Sequence, residues 1–168
     1  MKRLVLILTV MAVLVPTSLW AQDNKADIFG GFSILSLSDS VDRTTAPGWQ
    51  AAVGGNVTPM FPVVGDFGGQ YKDGGSAMEY LFGPRATHRT DKASVFGHAL
   101  FGGTHFSDGG GNHFTMAYGG GVDVNAGDKM AVRVVQFDWM PIKNGGTGAG
   151  WTKNSIRLGF GVVFKIGS

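Results

Sequence analysis

From Ser155 to Ile166 the chain alternates between two kinds of side chain. Ile156, Leu158, Phe160, Val162, Phe164 and Ile166 take one set of positions; Ser155, Arg157, Gly159, Gly161, Val163 and Lys165 take the other. Successive residues of a strand point to opposite faces, so this segment has one apolar side and one small or charged side. A soluble sandwich can bury such a face against a second sheet, and a membrane barrel can give it to lipid. The same pattern recurs upstream, and the segments that carry it decide between the two.

The N-terminus reads Lys2-Arg3, an apolar run from Leu4 to Val15, then Pro16 and a polar stretch ending at Ala21. That order of charge, apolar core and small residue is a secretory signal, expected to be cleaved after Ala21. The run is too short for a membrane-spanning helix. Residues 22–168 are then one exported domain. The chain holds 14 basic and 12 acidic residues, and Lys2 and Arg3 leave with the signal, so the exported part is balanced. No basic surface remains for nucleic acid. The absence of cysteine excludes a disulfide framework and thiol chemistry. The 28 glycines are over twice the usual share of about 7% and fall within strand-like segments, where they allow curvature.

Eight segments read as strands: Ala26–Leu35, Gly48–Thr58, Pro62–Lys72, Ala77–Ala86, Ala93–His105, His113–Asn125, Lys129–Met140 and Trp151–Ile166. Each has about the 9–11 residues or more that cross a bilayer at a tilt, against the 5–6 usual in soluble sheets. Thr58–Phe61, Thr87–Lys92 and Ala126–Asp128 are short connections, Lys72–Ser76 and Phe106–Asn112 intermediate, Ser36–Pro47 and Pro141–Gly150 long. Short turns on one side and longer loops on the other place the turns and both termini in the periplasm. The expectation is an all-β, eight-stranded antiparallel transmembrane barrel.

Trp49, Ala51 and Val53 oppose Gln50, Ala52 and Gly54; Val63, Phe67 and Tyr71 oppose Asp66, Gly68 and Gln70. The fifth strand is ambiguous, because Phe96 and Leu100 share a face with His98. In the seventh, Arg133 is out of phase with Gln136 and Asp138, and a bulge at Val134–Val135 would bring all three inward. Trp49, Tyr71, Phe114, Phe137, Trp139 and Trp151 lie toward the longer loops, as interfacial aromatics do.

Gly119–Val124, Ala131–Trp139 and Asn154–Lys165 carry a resemblance to small porin-like outer-membrane barrels, the broad family that includes OmpA-type eight-stranded membrane domains. The resemblance implies outer-membrane lipid and the barrel-assembly machinery as partners. Its terminal signal normally ends on an aromatic residue, whereas here Phe164 is followed by Ile166, Gly167 and Ser168.

Asp66, Glu79, Arg85, Asp123, Arg133 and Arg157 fall on inward positions, joined by Asp138 through the bulge. Counting back from the Ala126–Asp128 turn sets Asp123 diagonally across from Arg133. Charges of both signs in a narrow interior imply ion pairs and a plugged lumen rather than catalysis. His88, His98, His105 and His113 lack metal-site spacing, and no metal or cofactor is expected. His105-Phe106-Ser107 is similar to the His-x-Ser element of lipid A deacylases, but no Glu follows it. The Gly109–Gly111 and Gly145-Gly146 runs lack the helix and lysine of a phosphate loop. The favoured function is a non-enzymatic envelope protein contacting partners through residues 36–47 and 141–150. A narrow pore, a lipid A-modifying enzyme and a soluble ligand-binding barrel are the alternatives.

Overall fold

The computed structural model describes residues 26–38, 43–58, 61–107, 111–143 and 150–167; the leader-like residues 1–21 lie outside them. Ten strands follow in chain order: β1 (Ala26–Ser38), β2 (Arg43–Thr58), β3 (Phe61–Lys72), β4 (Gly75–Arg89), β5 (Ala93–Phe106), β6 (Gly111–Asn125), β7 (Met130–Trp139), β8 (Ile142–Lys143), β9 (Trp151–Thr152) and β10 (Ile156–Ile166). β1 to β7 and β10 form a closed ring of antiparallel pairs. The seam joins the first and last strands, from Ala26 opposite Ile166 to Ser36 opposite Ile156. Closure leaves no open edge in the wall.

The alternation seen in the sequence sets the two surfaces. Val53, Phe67, Phe82, Val95, Phe137, Leu158 and Phe160 point outward and are about half exposed. Phe29, Leu35, Leu81 and Leu100 point inward and are almost fully buried, together with most of the charged strand residues. Apolar outside and ionic inside inverts a soluble protein, and lipid is the solvent that suits it. Phe96, His98 and Leu100 all turn inward, which settles the fifth strand.

Local geometry follows the side chains. Val134 and Val135 are both exposed, and the β6–β7 register slips between Val122 opposite Val135 and Asp123 opposite Arg133. This bulge keeps Arg133 as well as Gln136 and Asp138 inside. Because the connection after Asn125 runs to Lys129, Asp123 sits directly opposite Arg133 rather than diagonally. Aromatic rings lie over glycines on the outer wall: Trp49 covers Gly69, and Tyr80 covers Gly103. A Cβ at either glycine would collide with its ring, so the small residue is a packing requirement.

Several boundaries differ from the sequence expectation. The stretch 36–47 is largely strand, since β1 runs on to Ser38 and β2 begins at Arg43; residues 39–42 lie outside the described ones. Lys72–Ser76 collapses to a two-residue turn at Asp73-Gly74, both with positive φ, as a tight hairpin requires. The last strand is split. Trp151 and Thr152 pair with Lys143 and Ile142 instead of continuing into β10. The Met140 amide binds the Ser155 carbonyl at 2.8 Å, which fixes the reversal. We call the end with residues 90–92 and 126–129 the turn end, and the end with Asp73-Gly74 and the β8–β9 hairpin the loop end.

Candidate functional site

The interior is organised around Arg157 of β10, which is fully buried. Its Nη1 donates to Asp66 Oδ1 and Glu79 Oε2, each at 2.8 Å, and its Nη2 donates to Asp138 Oδ2 at 2.8 Å. Asp138 Oδ1 meets His98 Nε2 at 2.8 Å. Gln50 Nε2 donates to Asp66 Oδ2 at 2.6 Å, and Gln136 Nε2 to Asp138 Oδ2 at 2.7 Å. One guanidinium thus binds carboxylates from β3, β4 and β7. The planar fork of arginine suits this, because its five N–H donors radiate in one plane. A lysine could supply the charge but not the spread.

A second ionic layer lies toward the turn end. Arg133 holds both oxygens of Asp123, at 2.8 and 3.1 Å, and its Nη1 reaches Gln136 Oε1 at 2.7 Å. Its guanidinium lies between the rings of Phe29 and Phe96, 4.2 Å from each centroid. Cation–π contact supplements the ion pair where water is excluded. Arg85 grips both oxygens of Asp27. Gln136 links the two layers, so a continuous chain of hydrogen bonds runs from Asp123 to Asp66.

Above the Arg157 layer the lumen closes with neutral groups. Thr104 and Thr115 share a hydrogen bond at 2.8 Å, and Gln70 donates to Ser33 at 3.2 Å. Leu35, Met140 and Ile142 are buried beside them. The short β8–β9 hairpin supplies Ile142 and is held on β6 by the Met116 amide bound to the Pro141 carbonyl.

The outward aromatics group toward the loop end. Phe114 meets Trp151 edge-on, Tyr118 lies against Trp139, and Trp49 Nε1 reaches the Tyr71 hydroxyl. The Trp139 indole donates to the Lys153 carbonyl. Phe137 sits one outward step deeper, opposite Gly120 and Leu158. Trp49 lies well inside β2, because that strand begins five residues earlier than expected.

The His-x-Ser element does not assemble as a catalytic pair. His105 Nδ1 contacts Asn112 Oδ1 at 3.0 Å, while Ser107 Oγ accepts the Ser76 amide at 2.8 Å. Each group is occupied in holding a strand end. Among the described residues no cluster of His, Asp or Glu has the form of a metal site.

All seven inward charges named from the sequence lie in the lumen. Asp66, Glu79, Asp138 and Arg157 meet in one layer; Asp123, Arg133 and Arg85 lie in the other. Sequence reasoning missed Asp27 and the contact of His98 with Asp138; it set Gln50 opposite the outward Trp49 and brought Gln136 inward through the bulge, without naming either as a partner of the charges. Asp27 shares its face with Phe29 and Leu35, which masks it as a lumen residue. Its signal is the seam: Ile28 opposite Phe164 faces outward, so Asp27 opposite Lys165 must face inward.

No protein-family model and no curated protein matches the chain. Solved structures do. Neisserial surface protein A superposes with a TM-score of 0.63 at 12% identity, over 84% of this chain and 97% of that one. Ail, the attachment invasion locus protein of Yersinia pestis, superposes at 0.55 with 15% identity, over 86% and 100%. A de novo designed transmembrane β-barrel reaches 0.52 at 12% identity, over 86% and 98%. At such identities the likeness is one of fold. In fold the chain is a small eight-stranded antiparallel transmembrane β-barrel.

Proposed function

We propose that the chain is a non-enzymatic integral protein of the bacterial outer membrane, exported by a cleaved leader and inserted by the barrel-assembly machinery. Its lumen is a plug and its work is done at the loop end. The carrying observation is the Arg157 layer, which ties β2, β3, β4, β5, β7 and β10 together across the middle of the lumen. An eight-stranded barrel has room for side chains and little else, and here those side chains are bonded to one another. With wall and lumen both committed to structure, contact with a partner falls to residues 36–47 and 141–150. The solved relatives support this reading by name, one being a surface protein and the other an attachment invasion locus protein.

Planar-bilayer recording of the purified protein tests the plug, and steady large conductance would refute it. Mass spectrometry of lipid A with and without the protein tests the absence of deacylase activity. Loss of an acyl chain that Ser107→Ala restores would overturn the non-enzymatic reading. Replacing residues 144–149 by a short Gly-Ser linker, followed by an adhesion assay on whole cells, tests the loop role. Unchanged adhesion and an unchanged envelope phenotype would remove it.

A further inference from the structure

The Arg157 layer holds more acid than it holds cation. Asp66, Glu79 and Asp138 are each at most 2% exposed, and all three bond to the one guanidinium of Arg157. His98 of β5 contacts Asp138. Counting His98 as a full cation still leaves three acids against two cations. Arg85, on the same strand as Glu79, and Arg133 do not make up the difference, because they grip Asp27 and Asp123 in the other layer. The other strands around Glu79 contribute neutral groups: Ser33 on β1, Gln50 on β2, Thr104 on β5 and Thr115 on β6.

The three acids are unequally supplied with donors. Asp66 accepts from Arg157 on one oxygen and from Gln50 on the other. Asp138 accepts from Arg157 and Gln136 on Oδ2 and meets His98 at Oδ1. Glu79 accepts from Arg157 on Oε2, while its Oε1 is buried with no hydrogen-bond partner among the described residues. Gln70 Oε1 on β3 is buried and unpartnered in the same way. The two side chains converge over Gly68, where a Cβ would lie 3.0 Å from Glu79 Oε2 and 3.2 Å from the Gln70 amide nitrogen. A buried acceptor without a donor is costly, and one hydrogen on Glu79 Oε1 would serve both orphaned oxygens.

We propose that Glu79 is a carboxylic acid in the folded barrel, its Oε1–H donating toward Gln70, and that this proton locks the plug. Carboxyl groups that share a site keep a proton rather than ionise together. Arg157 still donates to Oε2, which becomes the carbonyl oxygen of the acid. Losing the proton in alkali sets three carboxylates around one guanidinium and loosens the layer. The lock rests on the plugged-lumen reading; the proton itself does not.

Glu79 is the single glutamate of the chain, so carboxyl-labelled glutamate reports on it alone. With the full-length barrel in phosphatidylcholine vesicles, the labelled infrared band should be that of an acid at neutral pH and convert to a carboxylate band in alkali. A carboxylate band at neutral pH would overturn the proposal, whether or not any variant assembles. Glu79→Gln keeps a donor toward Gln70 and an acceptor for Arg157, so urea unfolding at neutral pH should find it as stable as wild type. Were Glu79 ionised, receiving a reversed Gln70 amide, the same change would break a buried ion pair and weaken the folding equilibrium by about a hundredfold or more. An acid that holds its proton in the fold and releases it on unfolding makes wild type lose stability as pH rises, by up to about tenfold in the unfolding constant per pH unit. The Glu79→Gln variant should lack that slope, and parallel slopes would overturn the proposal. Bilayer current should rise in alkali for wild type and stay low for the variant; an equal rise in both would remove the lock. Large current from both at neutral pH would refute the plug, and the labelled band and the slope would still decide the proton.

Discussion

The two ionic layers of the lumen solve the same problem in opposite ways. Around Arg157 one cation serves three carboxylates, every partner is inaccessible to water, and each hydrogen bond depends on the others. Toward the turn end Asp27 and Asp123 each have an arginine of their own, and Arg89 also approaches Asp27 at 3.9 Å. A shared cation makes a layer that cannot lose a member. Private pairs, with Asp27 and Asp123 slightly open to solvent, make a layer whose members can be altered one at a time. The contrast assigns sealing to the middle of the barrel and accessibility to its mouth.

The sharpest way to break that contrast is Arg157→Ala. It strands Asp66, Glu79 and Asp138 together, and breaking a single buried pair already costs about 3–5 kcal/mol. Urea unfolding from vesicles should show a loss at least this large, or failure to assemble, and bilayer recording should show new conductance. A loss under about 1 kcal/mol, the range of an exposed pair, would mean the layer is hydrated.

Phe160→Arg sharpens the comparison by placing the same charge three residues along β10 on the other face. Lipid-facing arginine near the midplane costs about 2–4 kcal/mol, and the band that resists unfolding in gels should be lost. Wild-type assembly of this variant would show that the outer face of β10 is not in lipid.

Arg85→Ala is the matched test at the mouth. Arg89, already 3.9 Å from Asp27, can close on the abandoned carboxylate. The cost should therefore fall to about 1–2 kcal/mol, below the range for a stranded buried charge, with no gain in conductance. A loss equal to that of Arg157→Ala would remove the distinction between the layers. The smallest effect is expected at the rim. Trp139→Ala should cost about 0.5–1.5 kcal/mol through its contact with Tyr118, leaving both ionic layers intact.

What could be read beforehand depended on how directly a residue's face follows from its neighbours. Arg157 sits in an unbroken alternation, so its inward direction was plain. Arg133 and Asp138 contradict each other in simple parity, and only a bulge reconciles them. Asp27 was invisible because its face also carries Phe29 and Leu35, and a barrel interior of mixed polarity defeats a rule that sorts by polarity. The β8–β9 hairpin was hidden for another reason. Trp151 and Thr152 read as the start of the last strand, and the reversal rests on a backbone bond from Met140 to Ser155 that no side chain announces. Nor does any pattern reveal that one arginine would gather three particular carboxylates, since Arg157 and Asp66 are 91 positions apart.

That separation bears on how the barrel is made. The β3–β4 hairpin, unlike β6–β7 with its Asp123–Arg133 pair, does not contain its own neutralisation. Asp66 and Glu79 lie on adjacent strands and repel each other until β10 delivers Arg157 on joining β1. A sheet that entered lipid before the seam formed would present bare carboxylates to hydrocarbon. Insertion and closure are therefore bound into one event, with the last strand acting as both the final stave and the counter-ion. Such long-range dependence slows folding, because loop-closure entropy is spent before the contacts that offset it can form.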